Sequence, residues 1–226
     1  MLSEAMAFWD GSALIIVLAG TWLATVARCG WRNMAAAFGA LAKLGSPGFD
    51  RDANRAALAR SIPEIIRRGR LCADAPFPPD RSIAKLVQSY LVDGSIEGLR
   101  STSGAQRSAR DTTTGRAVQV FDYAGEQAPI FGLVGTLFAL TQVAPASDAG
   151  TTEAMMSVVG TAVLSSLYGV ITAHLICVPL ASAIERRAMR EETARRELIV
   201  WFEAQLTGRR SNGERSIAAI PLTDAA

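Results

Sequence analysis

Three apolar runs, separated by polar and arginine-rich chain, set the layout of this sequence. The first is Ser12 to Ala27 ("SALIIVLAGTWLATVA"), which is short for a membrane span. The other two, "APIFGLVGTLFALTQVAPA" and "MMSVVGTAVLSSLYGVITAHLICVPLASA", lie between Gln127 and Ala183 and are joined by the polar link "SDAGTTEA". A helix of roughly 20 apolar residues crosses a bilayer core. The pattern therefore predicts an all-α integral membrane protein: one N-terminal span, then a membrane hairpin. Between them, short amphipathic helices alternate with Gly and Pro punctuation. "NMAAAFGALAKL" is expected to end at Gly45-Ser46-Pro47, and "IAKLVQSYLVDG" at Gly94. "DANRAALARSIPEIIRRGRL" is expected to start near Asp52 or Asn54 and to kink or break at Pro63. Ser95 to Gly115 lacks apolar periodicity and reads as a loop or a polar helix.

Within the hairpin, small residues recur at helical spacing. Gly132, Gly135, Thr136 and Ala139 give the second span a side that admits a close neighbour. Pro129 is expected to bend or loosen this span near its inner end, and Pro145 to end it. Thr151 or Thr152 can cap the third span, with Glu153 in its first turn. There Ala162, Ser166, Gly169 and Ala173 fall within roughly 80° of one another, flanked by Ser165. This weakly polar stripe has two readings: helix packing, or a wetted path in which Thr136, Ser165 and Ser166 meet a passing cation. His174 projects elsewhere, as a helix–helix hydrogen-bonding group or a proton relay. After Pro179 the helix is expected to run on into the cytoplasm, where Leu198, Ile199, Trp201, Phe202 and Leu206 pack on the region between the first two spans. The tail from Gly208 reads as disordered.

Charge orients the chain. All 23 Lys and Arg fall between Arg28 and Arg116 or between Arg186 and Arg215, while Asp10, Asp148 and Glu153 mark the opposite ends of the spans. This is the positive-inside pattern of a protein with its N-terminus outside and its C-terminus in the cytoplasm. Trp9 and Trp31 suit the two interfaces of the first span, and no basic n-region marks a cleaved signal. The parts are then 1–29 (N-terminal segment and first span), 30–126 (cytoplasmic helices), 127–183 (hairpin) and 184–226 (cytoplasmic extension and tail). A net charge of +2 argues against nucleic acid. Cys29, Cys72 and Cys177 are too scattered for a metal site and are expected as free thiols. No nucleophile–base set, phosphate loop or metal cluster suggests an enzyme. Neither apolar span of the hairpin carries an Asp, Glu, Lys or Arg. An ion route here needs a carboxylate supplied by another polypeptide.

These segments resemble the MotA/TolQ/ExbB family of ion-driven stator subunits, and the flagellar MotA/PomA branch most closely. "AGEQAPIFGLVGTLFAL" is similar to that branch's third membrane helix and "VVGTAVLSSLYGVITAHLICVPLA" to its fourth; "WDGSALIIVLAGTWLATV" resembles its second. "LVDG" at Leu91–Gly94 stands at about the expected distance before the third. The resemblance implies a homo-pentamer in the bacterial inner membrane around a dimer of a single-span MotB-like partner (TolR/ExbD-like in the envelope-energising branch). The partner's aspartate carries H+ or Na+, and no other cofactor is expected. By position, Pro129 and Pro179 fall on the family's functional prolines, and Thr136, Ser165 and Ser166 on hydroxyls near the ion path of sodium-driven members. Arg67 and Arg68 fall near the residues that face the flagellar rotor. The first of four flagellar spans has no counterpart, which is the TolQ/ExbB layout. Asp74 is out of register with the family's rotor-facing acid, and "APFPPD" interrupts that helix. A non-conducting membrane scaffold is the third reading.

Overall fold

The computed structural model describes residues 11–68, 77–141 and 152–218. Every element among them is helical: α1 (Gly11–Cys29), α2 (Trp31–Leu44), α3 (Arg51–Arg68), α4 (Arg81–Asp93), α5 (Ile96–Thr141), α6 (Thr152–Ile171), a π-helical turn (Thr172–Cys177) and α7 (Val178–Ala218). They form two compact units, one from residues 1–46 and 112–187, the other from 47–111 and 188–226; α5 and α7 contribute to both. This cuts the chain differently from the expected partition: α2 and the residues after 112 group with the apolar helices.

In the first unit, α1 buries the i,i+4 stripe Ala13, Val17, Thr21 and Thr25 and packs on α6. It also meets α5 where the ring of Phe131 lies on Gly20, so close that a Cβ there would run into the ring. Its other face leaves Ile15, Leu18, Trp22 and Leu23 exposed, as suits a helix whose solvent is lipid. α1 stops because Gly30 takes φ 78°, a left-handed conformation open to glycine at little cost. Met34 and Ala37 of α2 then pack on Ala117 and Val120 of α5. Among the described residues, two stretches are long and apolar enough to cross a membrane, Gly11–Cys29 and the helical run beginning at Met155. The apolar end of α5 reaches Thr141, and the expected rest of that span, with Pro145, lies outside the described residues, as do Trp9, Asp10, Asp148 and Thr151.

The second unit is built on one core: Leu58, Ile62 and Ile65 of α3, Ile83, Leu86, Val87 and Tyr90 of α4, Leu99 of α5, and Leu198, Phe202 and Leu206 of α7. The expected apolar cluster of α7 thus meets the amphipathic faces of α3 and α4. Asp80 organises the polar side. Its carboxylate accepts the Ser82 and Ile83 N–H groups and so caps α4, while Arg195 Nη2 donates to it at 3.2 Å. The Asp80 N–H donates to buried Asn54, whose amide in turn donates to Asp50 O. α4 ends at Gly94 with φ 68°, as its glycine predicts.

α3 runs unbroken through Pro63; the core residues Leu58, Ile62 and Ile65 hold both sides of the proline against the same partners. It begins at Arg51, beside the expected Asp52, and Asp50 caps it, its Oδ1 accepting from Ala53 N. Of the two readings of Ser95 to Gly115, the helix is the one found: from Ile96 this stretch is the first part of α5. Long-range ion pairs stand in for the missing apolar period, Arg100 with Glu203 and Arg110 with Glu192. The tail also stays helical as far as Ala218.

Candidate functional site

The hairpin of α5 and α6 is assembled from backbone-close contacts. A Cβ on Gly132 would stand 3.0 Å from Ser165 O and 3.2 Å from Ser166 Cα. One on Gly169 would stand 2.6 Å from Ala128 O and 3.1 Å from both Gly132 Cα and Pro129 Cα. One on Gly135 would meet Ser165 Cβ at 2.9 Å. These pairings run in opposite senses, so the helices are antiparallel. Gly132, Gly135 and Gly169 all lie at these contacts, where only a missing side chain lets the backbones come this near. Further in, Gly125 lies against Cys177 and Val178.

Ser165 departs from the ion-path expectation. It is fully buried, and its Oγ donates to Gly132 O at 3.1 Å and shares Ala162 O at 2.9 Å. The hydroxyl therefore ties the two helices together and faces no open surface in this subunit. Thr136 and Ser166 differ: both are half-buried and border the seam. The Thr136 Oγ1 donates back to Leu133 O at 2.7 Å.

Helical geometry puts these two side by side. On α5 the buried row is Ala128, Gly132, Gly135 and Ala139, and Pro129 and Thr136 lie about 70–90° round from its centre. On α6 the buried row is Ala162, Ser165 and Gly169, and Ser166 lies about 70° round from its centre in the same rotational sense. Antiparallel packing turns both edges to one side of the hairpin. That edge carries Pro129, Thr136 and Ser166 among exposed Leu133, Leu140, Val159, Val163 and Val170. His174 is exposed and lies across the helix from Ser165, with no hydrogen-bond partner among the described residues.

Pro179 has a consequence that the sequence reading missed. Proline has no N–H to close an α-turn and its ring crowds the carbonyl four residues back. The chain answers with the π-helical turn Thr172–Cys177, closed by Val178 N–H on Ala173 O. Such turns bend helices and recur at functional sites. α5 passes Pro129 without one. A second missed feature is Thr21, whose Oγ1 is buried with no partner among the described residues, while Thr25 bonds back to Thr21 O.

At the inner end of the apolar segments, Asp122, Glu126 and Glu185 gather. Burial, reinforced by Glu126 and then Glu185, pushes the Asp122 carboxyl above its ordinary range. Arg28 answers them, 4.0 Å from Glu126 and stacked over the Tyr123 ring. In the second unit, Arg67 is exposed and bonds Glu64 at 2.7 Å. The Arg68 side chain, with Arg70, Cys72 and Asp74, lies outside the described residues.

Comparison with known proteins agrees with this arrangement. Residues 76–197 match the MotA/TolQ/ExbB proton channel family. No curated protein sequence matches the chain. Among solved structures, MotAB from C. jejuni is 16% identical with a TM-score of 0.79, over 97% of this chain and 88% of that one. The flagellar MotAB stator complex from Bacillus subtilis is 20% identical with a TM-score of 0.78, over 89% and 80%. The chain shares their fold.

Proposed function

This chain belongs to the MotA/TolQ/ExbB proton channel family, and from that premise we propose that it is the MotA-like subunit of an ion-driven stator in the bacterial inner membrane. In this reading α1, the apolar end of α5 with the residues that follow it, and α6 with the π turn cross the bilayer three times. The N-terminus is outside and the second unit is cytoplasmic. Five copies surround a single-span, MotB-like partner, and H+ or Na+ moves between them on the partner's aspartate.

One observation carries this proposal. The hairpin is sealed on its glycine seam, and its open edge bears Pro129, Thr136 and Ser166 but, among the described residues, no ionisable group. An apolar wall with two hydroxyls can guide an ion and cannot by itself take it out of water. The site is therefore complete only when another chain places an acid against that edge. Pro129 and the π turn before Pro179 give α5 and α6 points at which to flex as that acid is protonated and released. Such flexing would be passed along α5 and α7, and Arg67 is the exposed charge offered to a rotor. The three-span, N-out layout supports a second reading, a TolQ/ExbB-type energiser of the cell envelope with a TolR/ExbD-like partner. A non-conducting scaffold is the third.

Co-expression with a neighbouring single-span protein bearing a membrane Asp tests the assignment. The expected result is a stable complex with a 5:2 ratio, as the family resemblance implies, purified in detergent and weighed by native mass spectrometry. A chain that purifies alone in the presence of every such candidate would contradict it. The partner's periplasmic part, cell-wall-binding or receptor-contacting, separates the first two readings.

A further inference from the structure

Where α1 gives way to α2, the first unit holds an open cavity of about 710 Å³ that the ion path does not use. Cys29, Gly30, Trp31, Arg32, Asn33 and Ala36 line one side, and Thr113 and Arg116 of α5 line the other. Two features set its chemistry. Arg32 and Arg116 both reach it, and neither has an acidic partner among the described residues, whereas neighbouring Arg28 is engaged by Glu126 and Tyr123. The first turn of α2 also has no side-chain cap, so its N–H groups add positive potential to the same place. The cavity is thus built for an anion.

Its depth says which anion. Arg28, the first basic residue of the chain, closes the apolar α1, and Arg32 lies one helical turn further on. Trp31 turns back to meet Trp22 of α1 edge-to-face, ring centroids 6.1 Å apart, and both rings are exposed. Paired tryptophans beside arginines at a span's inner end mark headgroup level. We propose that this cavity seats an anionic phospholipid of the cytoplasmic leaflet. Its phosphate lies between Arg32 and Arg116, and its upper acyl chain lies against Trp31, Trp22 and Leu18. The inference uses the membrane orientation of the functional proposal but not its ion path, so the lipid can be tested in a complex that conducts nothing.

The experiment compares the purified oligomer in nanodiscs of phosphatidylglycerol and of phosphatidylcholine, counting the lipids retained per chain by native mass spectrometry after detergent exchange. The wild type should keep phosphatidylglycerol in preference. Basic residues near an anionic leaflet contribute about 1 kcal/mol each, so Arg32→Gln and Arg116→Gln should each weaken retention about five-fold, and the pair roughly 30-fold. The oligomer mass should not change. Brominated phosphatidylglycerol should quench wild-type tryptophan emission more than brominated phosphatidylcholine, an arm that needs no variant, and Trp31→Phe should reduce the difference. Equal retention of the two lipids, or unchanged retention in the double variant, would overturn the proposal. So would equal stabilisation by inorganic phosphate in phosphatidylcholine discs, which would assign the cavity to a soluble anion. A neighbouring copy's acidic side chain cross-linking into it would assign it to the subunit interface.

Discussion

Ser165 and Thr136 are the same kind of residue put to opposite uses. Ser165 Oγ spans the seam to Gly132 O, so Ser165→Ala should lower the thermal stability of the detergent-solubilised oligomer by roughly 0.5–1 kcal/mol per chain. Ion flux through the partnered complex should be kept. Thr136→Ala and Ser166→Ala should do the reverse, changing flux or H+/Na+ preference with little loss of stability. Gly169→Ala is the harsher change. Its new methyl would stand 2.6 Å from Ala128 O, a backbone atom that cannot move alone. About 1–3 kcal/mol should be lost as the helices part, read as a lower unfolding temperature. Asp122 gives a pH dependence. Its carboxyl is pushed above the ordinary value of 3.8, chiefly by burial, so the folded state favours the protonated form. The contribution to stability is therefore full below that ordinary value and is lost as pH rises through the raised one. Asp122→Asn should flatten this decline in a series of melting curves taken from about pH 4 upward.

At the scale of helices, the breaks follow local chemistry where a single residue decides them. Gly45 and Gly94 end α2 and α4 as read from the sequence, and the small-residue side of α5 is the side that packs. Other features depended on chain far away. The polar start of α5 is helical because Glu192 and Glu203, over 80 residues on, pair with its arginines. Pro63 is harmless because the core grips both sides of it. Whether Ser165 faced a path or a neighbour could not be read from α6 alone, since its second acceptor, Gly132 O, sits on α5. The π turn was latent in Pro179, whose missing N–H is local, but a proline does not force such a turn, as α5 at Pro129 shows. Pro179→Ala should allow ordinary α-turns through Thr172–Cys177. Slower amide exchange there, together with reduced coupled flux, is the expected result in hydrogen-exchange and flux measurements.

At the scale of the molecule, one unit supplies the apolar hairpin and the other a well-knit helical body with its polar hub at Asp80. Removing that carboxylate uncaps α4 and takes from Arg195, whose side chain is only 13% exposed, one of its two acidic partners, leaving Glu191. Asp80→Ala should cost the second unit about 1–3 kcal/mol. Everything functional, however, rests on the absence of an acid from both apolar segments of the hairpin. Proton and sodium uptake should therefore be measured in proteoliposomes holding the chain alone, the chain with its single-span partner, and the chain with that partner's membrane Asp changed to Asn. The account predicts flux in the second preparation only. Flux through the chain alone, or undiminished flux with the Asn partner, would contradict it.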